Sequence, residues 1–296
     1  MAAVVKAKGA STPSSLRKNN KMAYALLVPG LLWLAIFFVA PILTLVGTST
    51  KTPGMGIGEY DQTWRWANYW DALVNTRDQF FRSFLFATIA TILALAIAYP
   101  LAYGIAFKSG KYKNILLVLV VAPFFCSFIL RTIAWKQILG QEGPLFRLLL
   151  DLHLVNQSTH LTASVGAVIV GLAYNFLPSM TLPLYSSLER IDPRTLEASG
   201  DLYANAWTTF RKVTLPLSMP GVVAGTLLTF IPATGDFVNA EILGNPGTTM
   251  LGNVINAQFL NTLNYPLAAT LSFILMISIL VIVSIYIRRS GTEDLV

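Results

Sequence analysis

Long apolar runs separated by shorter polar segments organise this chain. Six runs reach the roughly 20 residues that an α-helix needs to cross a bilayer. The runs are continuously apolar instead of alternating, which favours helices over the strands of a membrane barrel. The pattern therefore predicts an all-α integral membrane protein with six transmembrane helices. The predicted spans cover residues 23–47, 83–107, 115–139, 161–188, 217–243 and 266–287.

Prolines inside these spans predict kinked helices, because each proline removes a backbone hydrogen bond. Kinks suit a protein that moves, but proline is also commoner in membrane helices generally, so they do not define a function. The prolines concerned are Pro29, Pro41, Pro100, Pro123, Pro178, Pro183, Pro220 and Pro232.

The basic residues predict the orientation of the chain, because Lys and Arg concentrate in cytoplasmic loops. Fourteen of the 21 lie before the first span, in the second and fourth loops, or after the last span, whereas residues 244–265 contain none. We therefore expect both termini to be cytoplasmic. The expected division is a disordered N-terminal segment over 1–22, a transmembrane domain over 23–288 and a cytoplasmic tail over 289–296.

Composition supports the membrane assignment. Hydrophobic residues make up 54% of the chain and charged residues 12%, against about a quarter charged in soluble proteins. The basic excess does not indicate nucleic-acid binding, because the basic residues flank apolar runs. A basic start before an apolar run also fits a secretory signal, but the first run is long and five spans follow it. The single cysteine, Cys126, excludes an intrachain disulfide.

The first outer loop, residues 48–82, is dense in aromatic residues. This density predicts an interfacial helix in the lipid headgroup layer, although ordinary loop packing explains it equally well. The aromatic residues are Trp64, Trp66, Tyr69, Trp70, Phe80 and Phe81.

The fourth loop, residues 189–216, predicts two short cytoplasmic helices. Asp192 followed by Pro193 is typical of a helix start, and Asn205 is suited to cap a second helix. Trp207, Phe210 and Val213 recur every three residues and predict an apolar stripe. Such a protrusion is suited either to dock into a groove on a soluble partner or to fold back onto the membrane surface.

This loop resembles the EAA loop of ABC importer permeases. Glu197-Ala198-Ser199 and Leu215-Pro216 stand at the family spacing, with Ser199 in place of the second alanine and Val213 in place of isoleucine. Tyr203 stands where the family has the glycine of the turn between the two helices, a position where left-handed backbone favours glycine. The resemblance implies that these are coupling helices. The implied coupling residues are Glu197, Ala198, Ser199, Asp201, Trp207, Phe210, Leu215 and Pro216.

Residues 24–288 further resemble the spermidine/putrescine branch of these permeases. The motifs that carry this resemblance are Tyr99-Pro100-Leu101-Ala102-Tyr103, Arg131-Thr132-Ile133-Ala134-Trp135, Tyr174-Asn175-Phe176-Leu177-Pro178, Ser187-Leu188-Glu189-Arg190-Ile191-Asp192 and Gly235-Asp236-Phe237-Val238. The resemblance implies an inner-membrane permease that moves polyamines inward by alternating access. The implied partners are an ABC ATPase dimer, a second permease subunit and an extracytoplasmic solute-binding protein. ATP and Mg²⁺ are then used by the ATPase, and this chain binds no cofactor.

Charged residues inside a membrane are costly and usually face a cavity or a partner. If the spans are straight, Arg131 and Asp236 lie at a similar depth in the outer part of the bilayer. We expect Arg131 and Asp236 to face a central cavity that forms the translocation path. Asp236 and Glu241 are expected to attract a cationic solute there, and Trp135, Tyr174 and Asn175 to line the same path. The alternatives are an ion pair or snorkelling for the charges, an interfacial anchor for Trp135, and helix packing for Tyr174 and Asn175.

The sequence contains no phosphate-binding loop, no Cys/His cluster for a metal and no nucleophile motif, so an enzyme is not expected. Two rival functions remain open. An ABC permease for a different small solute keeps the same machinery. A self-sufficient secondary transporter is expected to show internal repeats, and it gives no role to residues 189–216.

Overall fold

The computed structural model describes residues 20–54, 59–157 and 159–289, with side chains from residue 26 onward. Residues 1–19 of the predicted disordered segment and residues 290–296 of the tail lie outside the described residues, whereas residues 20–22 already belong to a helix. Helices dominate the described part, where one short antiparallel hairpin pairs β1 (Lys51–Pro53) with β2 (Tyr60–Gln62). The α-helices are α1 (Asn20–Leu34), α2 (Ala40–Ser49), α3 (Ala67–Asn75), α4 (Arg77–Phe107), α5 (Lys113–Val121), α6 (Phe128–Leu139), α7 (Pro144–Asp151), α8 (Val165–Glu189), α9 (Pro193–Asp201), α10 (Ala206–Thr209), α11 (Leu215–Leu217), α12 (Met219–Thr234), α13 (Val238–Leu243), α14 (Leu251–Leu260) and α15 (Tyr265–Arg289).

Three long helices, α4, α8 and α12, pack against one another and form the core. α4 presents small residues to this core, and small side chains let helix backbones approach closely in a membrane. The fully buried alanines of α4 are Ala87, Ala90, Ala94, Ala98 and Ala102. Because most of them are spaced one helical turn apart, they form one continuous stripe.

Two glycines of α12 allow its close contact with α8. A Cβ added at Gly221 would lie 2.7 Å from the carbonyl oxygen of Pro183, and one at Gly225 would lie 2.9 Å from that of Met180. The Gly-x-x-x-Gly pattern is therefore a packing surface.

The first apolar run is one continuous helical segment. α1 and α2 are joined by a π-helical turn over Ala35–Val39, and α2 packs on α15. Residues 26–41 are exposed although this part of the run is strongly apolar, and burial against the rest of the protein increases only toward Ser49. Exposed apolar surface of this length requires lipid or a membrane partner.

The described residues contain four uninterrupted candidate membrane spans, or six if two bent helix pairs each count as one. In the first pair, Gly110–Phe125 and Phe128–Asp151 meet at 97°. In the second, Ala206–Leu217 and Met219–Thr234 meet at 65°. The run predicted over 217–243 is also interrupted after Thr234, and a separate helix α13 follows.

Candidate functional site

A polar cluster lies inside the apolar bundle where α6, α8 and α13 meet. The Asn175 side-chain amide donates to Asn239 Oδ1 at 2.9 Å and to Thr132 Oγ1 at 3.0 Å. Asn239 Nδ2 in turn donates to Asp236 Oδ1 at 3.2 Å. All four residues are buried, so a chain of hydrogen bonds joins three helices at one depth.

The interruption between α12 and α13 positions Asp236 in this cluster. α12 ends at Thr234, and the Asp236 carboxylate accepts the backbone N–H of Asn239 at 2.8 Å, inside the first turn of α13. A carboxylate at a helix start satisfies an amide that has no partner within the helix. The carboxyl group therefore lies inside the bundle with one oxygen atom, Oδ1, engaged by Asn239 of α13.

Arg131 precedes Thr132 on α6 but is not paired with Asp236. The ion pairs within the described residues join other groups. The Arg131 guanidinium lies 5.3 Å from the ring of Phe124 and 5.6 Å from that of Phe128. Its Nε and Nη1 atoms are buried without a hydrogen-bond partner among the described residues.

The predicted depth of Arg131 assumed a straight span and needs correction. The 97° bend turns α6 away from the direction of α5, so distance along the sequence does not measure depth. Arg131 and Asp236 lie at similar depth for another reason: Thr132 Oγ1 lies 3.5 Å from Asn239 Oδ1, next to Asp236.

The predicted aromatic residues lie together beside the cluster. The rings of Trp135 and Tyr174 meet edge to face with centroids 5.2 Å apart. Trp135 is partly buried and packs against the core, and Tyr174 adjoins Asn175 on α8. The two rings extend the cluster along the surface between α6 and α8.

Glu241 is not part of the buried polar cluster. Its side chain is exposed and accepts a hydrogen bond from Asn253 Nδ2 of α14 at 3.1 Å. Asn253 also bonds the carbonyl of Phe237 at 2.8 Å, which ties α14 to the segment that carries Asp236. Sequence reasoning missed Thr132, Asn239 and Asn253. The signal available was Asn239 itself, a polar residue three positions after Asp236 in an apolar run.

Residues 189–216 form two short helices with capped starts. Asp192 accepts the N–H of Arg194 at 2.9 Å, and Asn205 accepts the N–H of Thr208 at 2.8 Å. Ser199 Oγ lies 2.9 Å from Thr209 Oγ1 and so joins α9 to the second helical segment. The serine that replaces an alanine of the EAA pattern therefore links the two helices.

The turn between these helices has left-handed backbone at Tyr203, where φ is 58°. This is the conformation for which glycine is normally used. The Tyr203 side chain is 98% exposed, so no other element clashes with it and the strain is confined to the local backbone. The turn expected of the EAA loop is thus formed without its glycine.

The outer surface of the two helices combines exposed polar and apolar residues. Trp207 is 68% exposed and stacks on Phe210, whose ring also meets that of Tyr99 on α4 edge to face. The predicted stripe is therefore divided, with Trp207 outward and Phe210 against the bundle. Leu215 is partly buried. The remaining predicted coupling residues on this surface are exposed: Glu197, Ala198, Asp201 and Pro216.

Comparison with known proteins identifies the class. Residues 98–290 match the family of binding-protein-dependent transport system inner membrane components. The fold is shared with two solved bacterial alginate ABC transporter structures. One covers 95% of this chain and 98% of its own with a TM-score of 0.65 at 18% identity. The other, in complex with an alginate-bound periplasmic protein, covers 92% and 94% with a TM-score of 0.64 at 17% identity.

Curated relatives narrow the class further. The chain is 36% identical to the spermidine/putrescine transport system permease protein PotB of Haemophilus influenzae, over 92% of this chain and 95% of that protein. It is 34% identical to PotB of Escherichia coli (87% and 94% covered) and 31% identical to the inner membrane ABC transporter permease protein YdcU of the same organism (92% and 90%). The chain belongs to this family. It is a multi-pass inner-membrane permease subunit of an ABC importer.

Proposed function

We propose that this permease carries polyamines such as spermidine and putrescine into the cell. The observation that carries the proposal is the buried cluster in which Asp236 and Asn175 present oxygen atoms inside the membrane. Asn175 Oδ1 is buried and lacks a donor among the described residues. A polyamine supplies ammonium donors that suit carboxylate and amide oxygens, and the nearby rings of Trp135 and Tyr174 suit a cation as well.

The chain works with partners in this proposal. A second permease subunit completes the translocation path, a solute-binding protein delivers cargo from outside, and an ATPase dimer docks on α9 and α10. The exposed surface around Glu197 and Trp207 supports docking, because it combines charge with an apolar anchor. The ring contact between Phe210 and Tyr99 joins this surface to α4, so a movement of the docked helices is transmitted to the core helices.

ATP hydrolysis takes place in the ATPase subunits, and this chain binds neither ATP nor Mg²⁺. Both termini and the α9–α10 region face the cytoplasm, as the distribution of Lys and Arg indicates. The two bent helix pairs supply the points at which the spans move between outward and inward access.

A second cargo class, a small anion, is favoured by one observation. The Nε and Nη1 atoms of Arg131 are buried and unpartnered among the described residues, and guanidinium groups recognise carboxylate and phosphate. A cationic cargo is attracted by a negative charge at Asp236, whereas an anionic cargo is repelled by it. One variant that removes this charge therefore distinguishes the two cargo classes.

Uptake measured with Asp236→Asn tests the proposal. The substitution keeps an acceptor for Asn239 but removes the charge. If Asp236 attracts polyamine, uptake falls by about tenfold or more at equal expression. The matched control is Asp78→Asn, an exposed carboxylate at the start of α4, which should leave uptake unchanged. Unchanged polyamine uptake in Asp236→Asn would overturn the role of this carboxylate.

A further inference from the structure

Helix α3 presents three different faces. At 100° per residue, Trp66, Trp70 and Val74 form one stripe along the helix. They are 61%, 71% and 50% exposed, which is unusual for apolar residues of this size on one face. Asp71 and Asn75 form a second, polar exposed face.

The third face holds α3 against the rest of the protein. Asn68 Nδ2 donates to the carbonyls of Ser49 at 3.0 Å and Lys51 at 2.9 Å. The Tyr69 hydroxyl lies 2.6 Å from Ser49 Oγ, and Ala72 is buried. The orientation of α3 is therefore fixed, and the exposed apolar stripe does not result from a loose helix.

Contacts with α15 give the depth of α3. Tyr69 packs edge to face on Phe273 with ring centroids 6.0 Å apart, and Thr270 bonds the carbonyl of Ser49 at 3.0 Å. Thr270 and Phe273 lie about 8 and 12 Å along α15 from its first residue, Tyr265. α3 therefore packs beside the first third of α15 and not beyond the end of this membrane-spanning helix. This position corresponds to the boundary between headgroups and acyl chains.

We propose that the stripe of Trp66, Trp70 and Val74 lies in the lipid at this boundary and anchors the outer end of the bundle. Tryptophan is enriched at this depth because its ring is apolar and its indole N–H is polar. An amphipathic helix buries its apolar face about 5–10 Å into this layer, which matches the position of α3. A soluble docking partner fits less well, because the stripe lies beside the first third of α15 and not beyond the end of that helix, where a soluble protein would reach it. The inference does not depend on the cargo.

Spin labels on the two exposed faces of α3 test this proposal in the intact importer in nanodiscs. Cys126 is the only cysteine, so Cys126→Ser provides the background for Trp70→Cys and the matched control Asn75→Cys. The label at position 70 should be accessible to oxygen and protected from a water-soluble nickel chelate. The label at position 75 should show the reverse. Val74→Cys reports on the same stripe with a smaller change, should Trp70→Cys fail to fold.

Two results would overturn the proposal. Equal access of the nickel chelate to positions 70 and 75 would place the stripe in water. A label at position 70 or 74 protected from both probes would show that protein covers the stripe. Repeating the measurement without the solute-binding protein shows whether that protein is the cover, because lipid contact predicts the same accessibilities with and without it.

Discussion

Asn175 on α8 donates a hydrogen bond of 2.9 Å to Asn239 on α13. This bond fixes the short helix after the α12 interruption to one of the three core helices. Because Asn239 also holds Asp236, the position of the buried carboxylate depends on α8 as much as on its own segment. The Asn175–Asn239 pair therefore links the packing of the core to the position of the Asp236 carboxyl group.

The Asn175–Asn239 bond should contribute measurable stability. Asn175→Leu and Asn239→Leu each remove one partner, and the other is left buried without it. In a double-mutant cycle we expect a coupling free energy of about 1 kcal/mol, as for hydrogen bonds between membrane helices. Equilibrium unfolding in mixed micelles measures it.

The control cycle pairs Asn175→Leu with Asn75→Leu, a residue on the polar face of α3 that does not bond to the cluster. These two changes should be additive within about 0.5 kcal/mol. Additivity in the Asn175–Asn239 cycle as well would contradict the structural role of this bond.

Close packing of α12 on α8 predicts a cost for small additions at its glycines. Gly221→Ala and Gly225→Ala place a methyl group against Pro183 and Met180 and should each lower the free energy of unfolding by about 1–3 kcal/mol. Gly104→Ala in α4 is the matched control, because no atom lies within 4 Å of the added carbon. Thermal unfolding in detergent compares the three. Equal effects at all three positions would show that helix propensity, not contact, determines the result.

The left-handed backbone at Tyr203 predicts an unusual stabilising change. Tyr203→Gly should stabilise the turn by about 0.5–1 kcal/mol, the relief of left-handed strain less the entropy cost of glycine. Leu202→Gly is the control, since Leu202 is also exposed but has φ of −86° and should lose about 0.5–1 kcal/mol. Hydrogen exchange of residues 193–217 reports the change. A loss of protection in both variants would contradict the strain at Tyr203.

The sequence predicted the helical membrane fold and the two capped helices of residues 189–216, because hydrophobic run length and capping residues are local signals. Asp192 and Asn205 cap as expected. The prediction continued the fifth span through Asp236 and Glu241 to Leu243, so it missed the interruption over residues 235–237. The apolar run also continues across the bend at Cys126 and Ser127, so run length gave no sign of its 97° angle, although Pro123 lies three residues before it.

Within the candidate site, the sequence singled out the charged residues but not their hydrogen-bond partners. Asp236 and Asn175 were named because polar groups in a membrane are costly. Thr132 and Asn239 join them only through tertiary contact across α6 and α13. Arg131 and Asp236 illustrate the same limit: the sequence allowed an ion pair, and the structure instead places Arg131 against two phenylalanine rings.

In the proposed mechanism, this chain moves polyamines inward under the control of an ATPase that acts through α9 and α10. The most direct measurement is uptake of labelled spermidine and putrescine into proteoliposomes that contain the complete importer with its solute-binding protein. The wild type is compared with Glu197→Ala and with Glu142→Ala, a control in the connection between α6 and α7. We predict ATP-dependent uptake that falls about tenfold or more in Glu197→Ala and is unchanged in Glu142→Ala. Uptake without the ATPase subunit, or ATP-dependent uptake of other solutes but not polyamines, would contradict it.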